Sequence, residues 1–378
     1  MRFRSFSASL AGLALVLVST VSVVLHAQEG PQSPSSDSVA KPKKDAEDTP
    51  APESAPIPSE YKKKDVPPEN TPTFRSNATT VTVDVSVLDN KGNFIPKLPA
   101  NYFRVLEDGV PQQISNFGQS EAPMTICMLI EFSGRFQAFW SYGWAETLQA
   151  SYGFLETLKP DDNVGVVAFD MRPTILSDFS PDKRKAEEAM SRLRIPGFSE
   201  SNVFDALADM ADRMSNIEGR KAIVLIASGV DTFSKITFDQ ARKSLQESGV
   251  PIYTISILQI ARIMAESYGM SPIAEMTFLQ ADNEMRTFAK ETGGQSFFPR
   301  FIAEYPGVFQ QIEAALRNQY SLAYHPTNVA RDGKFRRIKV ELVNPETNQP
   351  LRLNDQKGKA IKYQIVAKAG YKAPREVE

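Results

Sequence analysis

The spacing of apolar positions changes period twice along this chain. Thr80 to Leu88 alternates apolar and polar residues and is rich in Val and Thr, as a strand with one buried face requires. Turn residues follow at Asp89-Asn90-Lys91-Gly92, strand pieces at 94–95, 103–107 and 113–117, and a hairpin turn at Asp108-Gly109. From Met124 the alternation stops. Met124 to Glu131 and Lys221 to Ala227 are continuous apolar runs with no helical period, which predicts strands buried on both faces. Further strands are predicted at 163–169, 174–179, 251–258 and 294–298. Helical spacing fills the intervals at 139–158, 203–214, 238–247, 275–291 and 308–318, with Pro181 opening another helix that runs to about Leu193. Beyond Tyr320 the period returns to two, at 320–324, 335–343 and 363–367.

Strands that alternate with helices of this length imply an α/β fold, a doubly wound, mainly parallel six-stranded sheet of Rossmann-like type. The flanking β segments at 76–120 and 320–373 are each too small to be comfortable alone. They are expected to pair with each other into one antiparallel β-sandwich, with the α/β domain, 121–319, inserted between them. Residues 374–378 form a tail.

The first 75 residues follow other rules. Arg2 and Arg4 precede an apolar stretch from Leu10 to Leu25, and Ala27 offers a small residue for cleavage, so residues 1–27 are expected to be a secretory signal peptide. An uncleaved N-terminal anchor is the alternative. Residues 28–75 carry ten prolines and few large apolar side chains, and are expected to be a disordered linker. No later run reaches the ~18 apolar residues of a transmembrane helix. The protein is therefore expected to be exported, to the periplasm or beyond.

Composition removes several function classes. Without the leader, 41 basic residues face 45 acidic ones, which offers no basic surface for nucleic acid. Cys127 is the only cysteine, so no internal disulfide can form, and its place inside an apolar run predicts an inert buried thiol. One histidine, His325, remains after the leader, and no Gly-x-Ser-x-Gly, Gly-x-x-x-x-Gly-Lys-[Ser/Thr] or Gly-x-Gly-x-x-Gly motif is present. A hydrolytic triad, a zinc site and a nucleotide site all lack support, and the chain is read as no enzyme.

The order of pieces resembles a von Willebrand factor type A domain: a strand ending in acid-x-Ser (Glu131-Phe132-Ser133), a helix opened by Ser201-Asn-Val-Phe-Asp-Ala-Leu207, and a strand ending just before Gly229-Val230-Asp231. With Val105-Leu-Glu-Asp-Gly109 and the terminal Gly370-Tyr371, residues 78–373 are similar to bacterial, often acidobacterial, VWFA-related proteins. The resemblance implies a metal-ion-dependent adhesion site at the C-terminal rim of the sheet, of pattern Asp-x-Ser-x-Ser, then Thr, then Asp, where a divalent ion takes a carboxylate from a partner protein. Here Glu131 stands for the first Asp, Ser133 is kept, Arg135 replaces the second Ser, Ser201 the Thr, and Ser228 the last Asp. Glu131, Ser133 and Ser201 remain as oxygen ligands for Mg²⁺ or another divalent cation. A guanidinium at Arg135 would repel such an ion, and can take its place by pairing with Glu131 or Asp231. The resemblance thus implies a degenerate site and a protein-binding or adhesion module, with Glu131, Ser133, Arg135, Ser201, Ser228 and Asp231 as the candidate contact surface. The alternative is a structural or envelope-associated protein whose β-sandwich makes the contacts while the rim is vestigial.

Other residues have plainer readings. Asp205, at a helix start, suits capping or packing, and Asp170 lies just past a strand end. Residues 260–276, with Met264, Tyr268, Met270 and Met276, are expected to form a Met-rich loop, either an adaptable binding surface or packing against the domain's own helices. Phe297, Phe298 and Phe301 are expected in the core and at its edge.

Overall fold

The computed structural model describes residues 80–119, 122–134, 143–193, 198–354 and 358–376. The expected leader, linker and Arg135 lie outside the described residues.

The chain opens with β1 (Val81–Asp89), β2 (Phe103–Glu107), β3 (Val110–Gln112) and β4 (Ile114–Gln119). Then come β5 (Met124–Glu131), α1 (Gly143–Thr157), β6 (Asn163–Phe169), β7 (Pro173–Ser180) and α2 (Lys183–Ser191). They are followed by α3 (Val203–Ser215), β8 (Arg220–Ala227), α4 (Phe238–Ser248), β9 (Ile252–Ser256) and α5 (Leu258–Ser267). Next are α6 (Pro272–Thr292), β10 (Ser296–Phe297) and α7 (Tyr305–Arg317). The chain closes with β11 (Tyr320–Tyr324), β12 (Phe335–Leu342), the short β13 (Leu353–Asn354) and β14 (Ala360–Ile361), β15 (Tyr363–Ala367) and β16 (Gly370–Lys372).

The central sheet has six strands in the order β10-β9-β8-β5-β6-β7. Every neighbouring pair is parallel except β6 and β7, which are antiparallel, so β7 is the reversed edge strand. All eight residues of β5 are buried, because side chains alternate between two helical layers. Ile126, Met128 and Ile130 face a core shared with Phe154 of α1, Met190 of α2 and Phe309 of α7. Cys127 and Leu129 face the opposite core, with Leu207 of α3, Leu245 of α4 and Phe288 of α6. Burial pushes the Cys127 thiol up to about 12, so it is the inert thiol expected.

Among the described residues there are also two four-stranded antiparallel sheets, in the orders β15-β1-β11-β4 and β16-β12-β2-β3, and a small antiparallel pair of β13 and β14. Each four-stranded sheet mixes strands from before and after the α/β layers. Val81, Val83, Val85 and Val87 of β1 share one core with Phe103 and Val105 of β2, Tyr320 and Leu322 of β11, and Ile338 and Val340 of β12. The flanking β segments are thus one sandwich. β4 and β11 are paired, Gln119 against Tyr320, so the α/β layers leave and re-enter the sandwich at adjacent strands.

The two ends of the inserted part are tied together. Asp162, just before β6, accepts the Met124 amide at 3.0 Å and the Lys159 amide at 2.9 Å, and it pairs with Arg317 at the end of α7. Burial pushes its carboxyl up, but the Arg317 guanidinium and the two amides outweigh that and hold it below the usual carboxylate range.

Three expectations need correcting. Pro181 lies outside its helix: Asp182 is the N-cap, accepting the Arg184 amide at 3.2 Å, and the helix starts at Lys183. Residues 258–267, read as the end of a strand and a Met-rich loop, are helix α5, and α6 starts at Pro272. The reason is local: Leu, Ala, Arg, Met and Glu favour helix, Arg262 pairs with Glu266 at 3.1 Å, and Ser271 caps α6 with Pro272 in the first turn. Phe301 is 62% exposed and belongs to no core.

Candidate functional site

The carboxyl ends of β5, β6, β8 and β9 make one rim, where the connections to helices depart. Glu131 is the last residue of β5 and is only 3% exposed. Its Oε1 accepts the Ser133 hydroxyl at 2.9 Å, and its Oε2 accepts the Ser228 backbone amide at 2.6 Å. Burial is the main influence on its carboxyl and raises its proton affinity; donors on Ser228, Ser201 and Ser133 offset part of that rise. Ser201, fully buried, sits beside this carboxyl as a further hydroxyl. Glu131, Ser133, Ser201 and Ser228 therefore converge. The extra methylene of Glu131, relative to Asp, carries its carboxyl onto the neighbouring strand end.

Asp231 does not join them. Its Oδ1 accepts the Ser234 hydroxyl at 2.5 Å and the Phe204 amide at 3.3 Å, and its Oδ2 accepts the Ser234 amide at 3.2 Å. The N-cap residue of α3, Asn202, makes no side-chain cap, so Asp231 and Ser234 cap that helix from the next loop. Asp205 also works on that loop, accepting the amides of Lys235 and Ile236 at 2.9 and 3.1 Å. Asp170 contributes a carbonyl to the Asn202 amide at 2.8 Å. Thr232 ties the Ser201 turn to the β8 loop, accepting the Ser201 amide at 2.8 Å and donating to its carbonyl at 3.1 Å.

The stretch that carries this rim, residues 126–299, matches the family model "von Willebrand factor type A domain". Residues 126–299 are a von Willebrand factor type A domain. Among solved structures, the chain is similar to the vWF domain of the type V pili tip protein Mfa5 from Porphyromonas gingivalis, at 12% identity and TM-score 0.40, over 52% of this chain and 97% of that one. A von Willebrand factor type A structure from Catenulispora acidiphila aligns over 79% of this chain and 75% of that one, at 13% identity and TM-score 0.42. An aerotolerance-related membrane protein from Bacteroides fragilis aligns over 51% of this chain and 98% of that one, at 15% identity and TM-score 0.40. No curated protein is similar enough to count as a relative.

Two features of this domain's rim were not foreseen in the sequence. Phe198 and Phe233 are 48% and 62% exposed; the Phe198 carbonyl accepts the Gly134 amide at 2.7 Å, which places its backbone beside Ser133, and Phe233 follows Thr232, whose amide donates to the Ser201 carbonyl at 2.9 Å. Asp282 of α6 is buried, accepts both contacts of the Gln259 amide at 3.0 and 3.1 Å, and holds α5 against α6. Burial raises its proton affinity too, offset in part by Gln259 and two arginines. The second carries a sequence signal, an acid at a core-facing helix position; an aromatic residue in a polar loop, as in the first, does not tell which way it points. Beyond this point Tyr268, Ile273 and Met276 are 92%, 80% and 70% exposed, around the turn from α5 into α6.

Among the described residues no helix is long and apolar enough to cross a membrane.

Proposed function

We propose that this is an exported protein-binding module whose vWA domain contacts its partner at the rim without a metal ion. The enclosed carboxyl of Glu131 carries the reading. An octahedral Mg²⁺ needs hard oxygen ligands with open positions around the ion. Here the donor set is one carboxyl and three serines, both carboxyl oxygens already accept protein donors, and a backbone amide proton points to where a cation would lie. The residues present do not fit the ion. What surrounds them suits contact: Phe198 and Phe233 are large, exposed and held on loops that the Ser201–Thr232 bonds keep in place. Exposed aromatics on a rigid frame are common anchors of protein interfaces. The chain acts by binding on this reading, and the Glu131 network supplies shape where an adhesion site of the metal type supplies a ligand.

The test is a crosslinking pull-down from native envelope with the full chain, in Mg²⁺ and in EDTA, beside the Phe198→Ala/Phe233→Ala double variant. The expected partner is captured equally with and without EDTA and lost with the double variant, whose melting temperature is unchanged. Release by EDTA, or undiminished capture by the double variant, refutes the proposal.

A further inference from the structure

Away from the rim, a crevice of about 380 Å³ lies where the vWA domain meets the sandwich. One wall is α4, whose Asp239, Arg242, Lys243 and Gln246 recur at the spacing of a single helix face. The other wall is the outer face of β12. Its even residues Arg336, Ile338 and Val340 are buried, so the odd residues Phe335 and Arg337 point outward, into the crevice.

The walls are fixed relative to each other. Lys372 of β16 pairs with Glu247 of α4 at 2.6 Å, and the Ala369 amide donates to the Glu291 carbonyl at 2.9 Å. Gly293, which ends α6 at φ +86°, approaches so closely that a Cβ there would sit 2.7 Å from the Lys368 nitrogen. Gly370 similarly leaves room for the Phe335 ring, 2.6 Å from where its Cβ would stand. The volume falls within the range of small-ligand sites, which favour domain junctions.

Its charges are unequally used. Arg242 is spent on Glu291, with contacts of 2.6 and 2.5 Å, and the Gln246 amide nitrogen also goes to Glu291 at 2.8 Å. Among the described residues the head groups of Lys243 and Arg337 form no ion pair, and the Asp239 carboxylate has none either. Two free cations, a free carboxylate, the Gln246 amide oxygen and an aromatic face are thus gathered in one fixed crevice. The cations call for an anionic group, and the two acceptors for hydroxyl donors on the same ligand. The ring, electron-rich on its face, suits the C–H side of a sugar.

We infer that this crevice binds a sugar acid, a monosaccharide-sized ring bearing a carboxylate. Its carboxylate lies between Lys243 and Arg337, its hydroxyls donate to Asp239 and Gln246, and its ring lies on Phe335. The ligand is either a free sugar acid or one unit of an anionic polysaccharide.

Titration calorimetry on the full chain tests this with glucuronate, a tetragalacturonate, glucose and inorganic phosphate. Glucuronate is expected to bind saturably, with Kd on the order of a millimolar for a ligand of this size. Glucose, lacking the charge, and phosphate, lacking the ring, should each bind about tenfold more weakly or worse. Lys243→Ala and Arg337→Ala, both at exposed positions, should each weaken glucuronate about tenfold with unchanged melting curves. Tighter binding of the tetramer assigns a polysaccharide, and equal binding a free sugar acid. The inference is overturned if neither acid binds saturably, if phosphate binds as tightly as glucuronate, or if both variants bind like the native chain.

Discussion

Replacing Glu131 separates a frame held by hydrogen bonds from one that needs a negative charge. In Glu131→Ala the buried Ser228 amide, now 2.6 Å from its acceptor, loses its partner, and the Ser133 hydroxyl loses its own at 2.9 Å. An orphaned buried donor costs about 1–3 kcal/mol, and the lost methylenes with their cavity about 1–2 kcal/mol. Release of a carboxyl that burial disfavours returns part of this, for a net loss of about 2–4 kcal/mol at neutral pH. Glu131→Gln differs: its amide oxygen can take the Ser228 amide while its nitrogen donates to Ser133, so stability should match or exceed that of the native chain. The pH dependence follows from the raised proton affinity. The folded state holds this proton more tightly than the unfolded chain does. The associated stability is therefore whole below the unfolded glutamate value of about 4.3 and lost as pH rises through the folded value. Urea melts of the native chain and both variants from pH 4 to pH 8 measure it. The Gln variant should gain on the native chain as pH rises and then level off. A Gln variant as unstable as Ala at pH 7, or a native chain stabilised by Mg²⁺, would refute the reasoning.

Asp162→Asn should cost about 1–3 kcal/mol by urea melt at pH 7, because it removes the charge of a fully buried side chain that pairs with Arg317 and leaves that guanidinium only Glu313, at 3.2 Å. The Asp162 carboxyl is held low in the fold, so its contribution is present above the unfolded value of about 3.9 and lost as pH falls through the folded one; the Asn variant should flatten that acid limb. Gly293→Ala combines a left-handed φ of +86° with a Cβ 2.7 Å from a backbone nitrogen, and should lose about 2–4 kcal/mol by the same assay.

The fold was readable wherever burial alone sets the pattern. β5, β8 and β9 are apolar runs because both faces are covered, and β1 alternates because one face meets the sandwich core. The pairing of distant β segments was also within reach, since neither could form a core alone. α5 was hidden because Ile257 and Leu258 continue the apolar run of β9, while the turn into helix depends on Ser256 and on Asp282 far along the chain. At the rim, the family resemblance groups Glu131, Ser133, Ser201 and Ser228, and these four side chains lie together. It could not show that Asp231 would be drawn off to cap α3, because that depends on a helix whose own N-cap residue makes no side-chain bond. The exposed Phe198 and Phe233 were invisible for a related reason: an aromatic in a loop reads the same whether it folds inward or out.

The pairing of β4 with β11 has a consequence for the order of assembly. To the sandwich, everything between Gln119 and Tyr320 is the turn of a hairpin, and closing so long a turn from an unfolded chain costs about 5 kcal/mol of loop entropy. Folded vWA layers lower that cost, since Asp162 holds Met124 and Arg317, at the two ends of the insertion, side by side. β1, the first strand made by the ribosome, finds both its neighbours, β11 and β15, only beyond the insertion. The sandwich has its own core, but the closeness of its two halves depends on the domain that interrupts it, so loosening the Asp162 clip should also weaken the β1–β15 ladder.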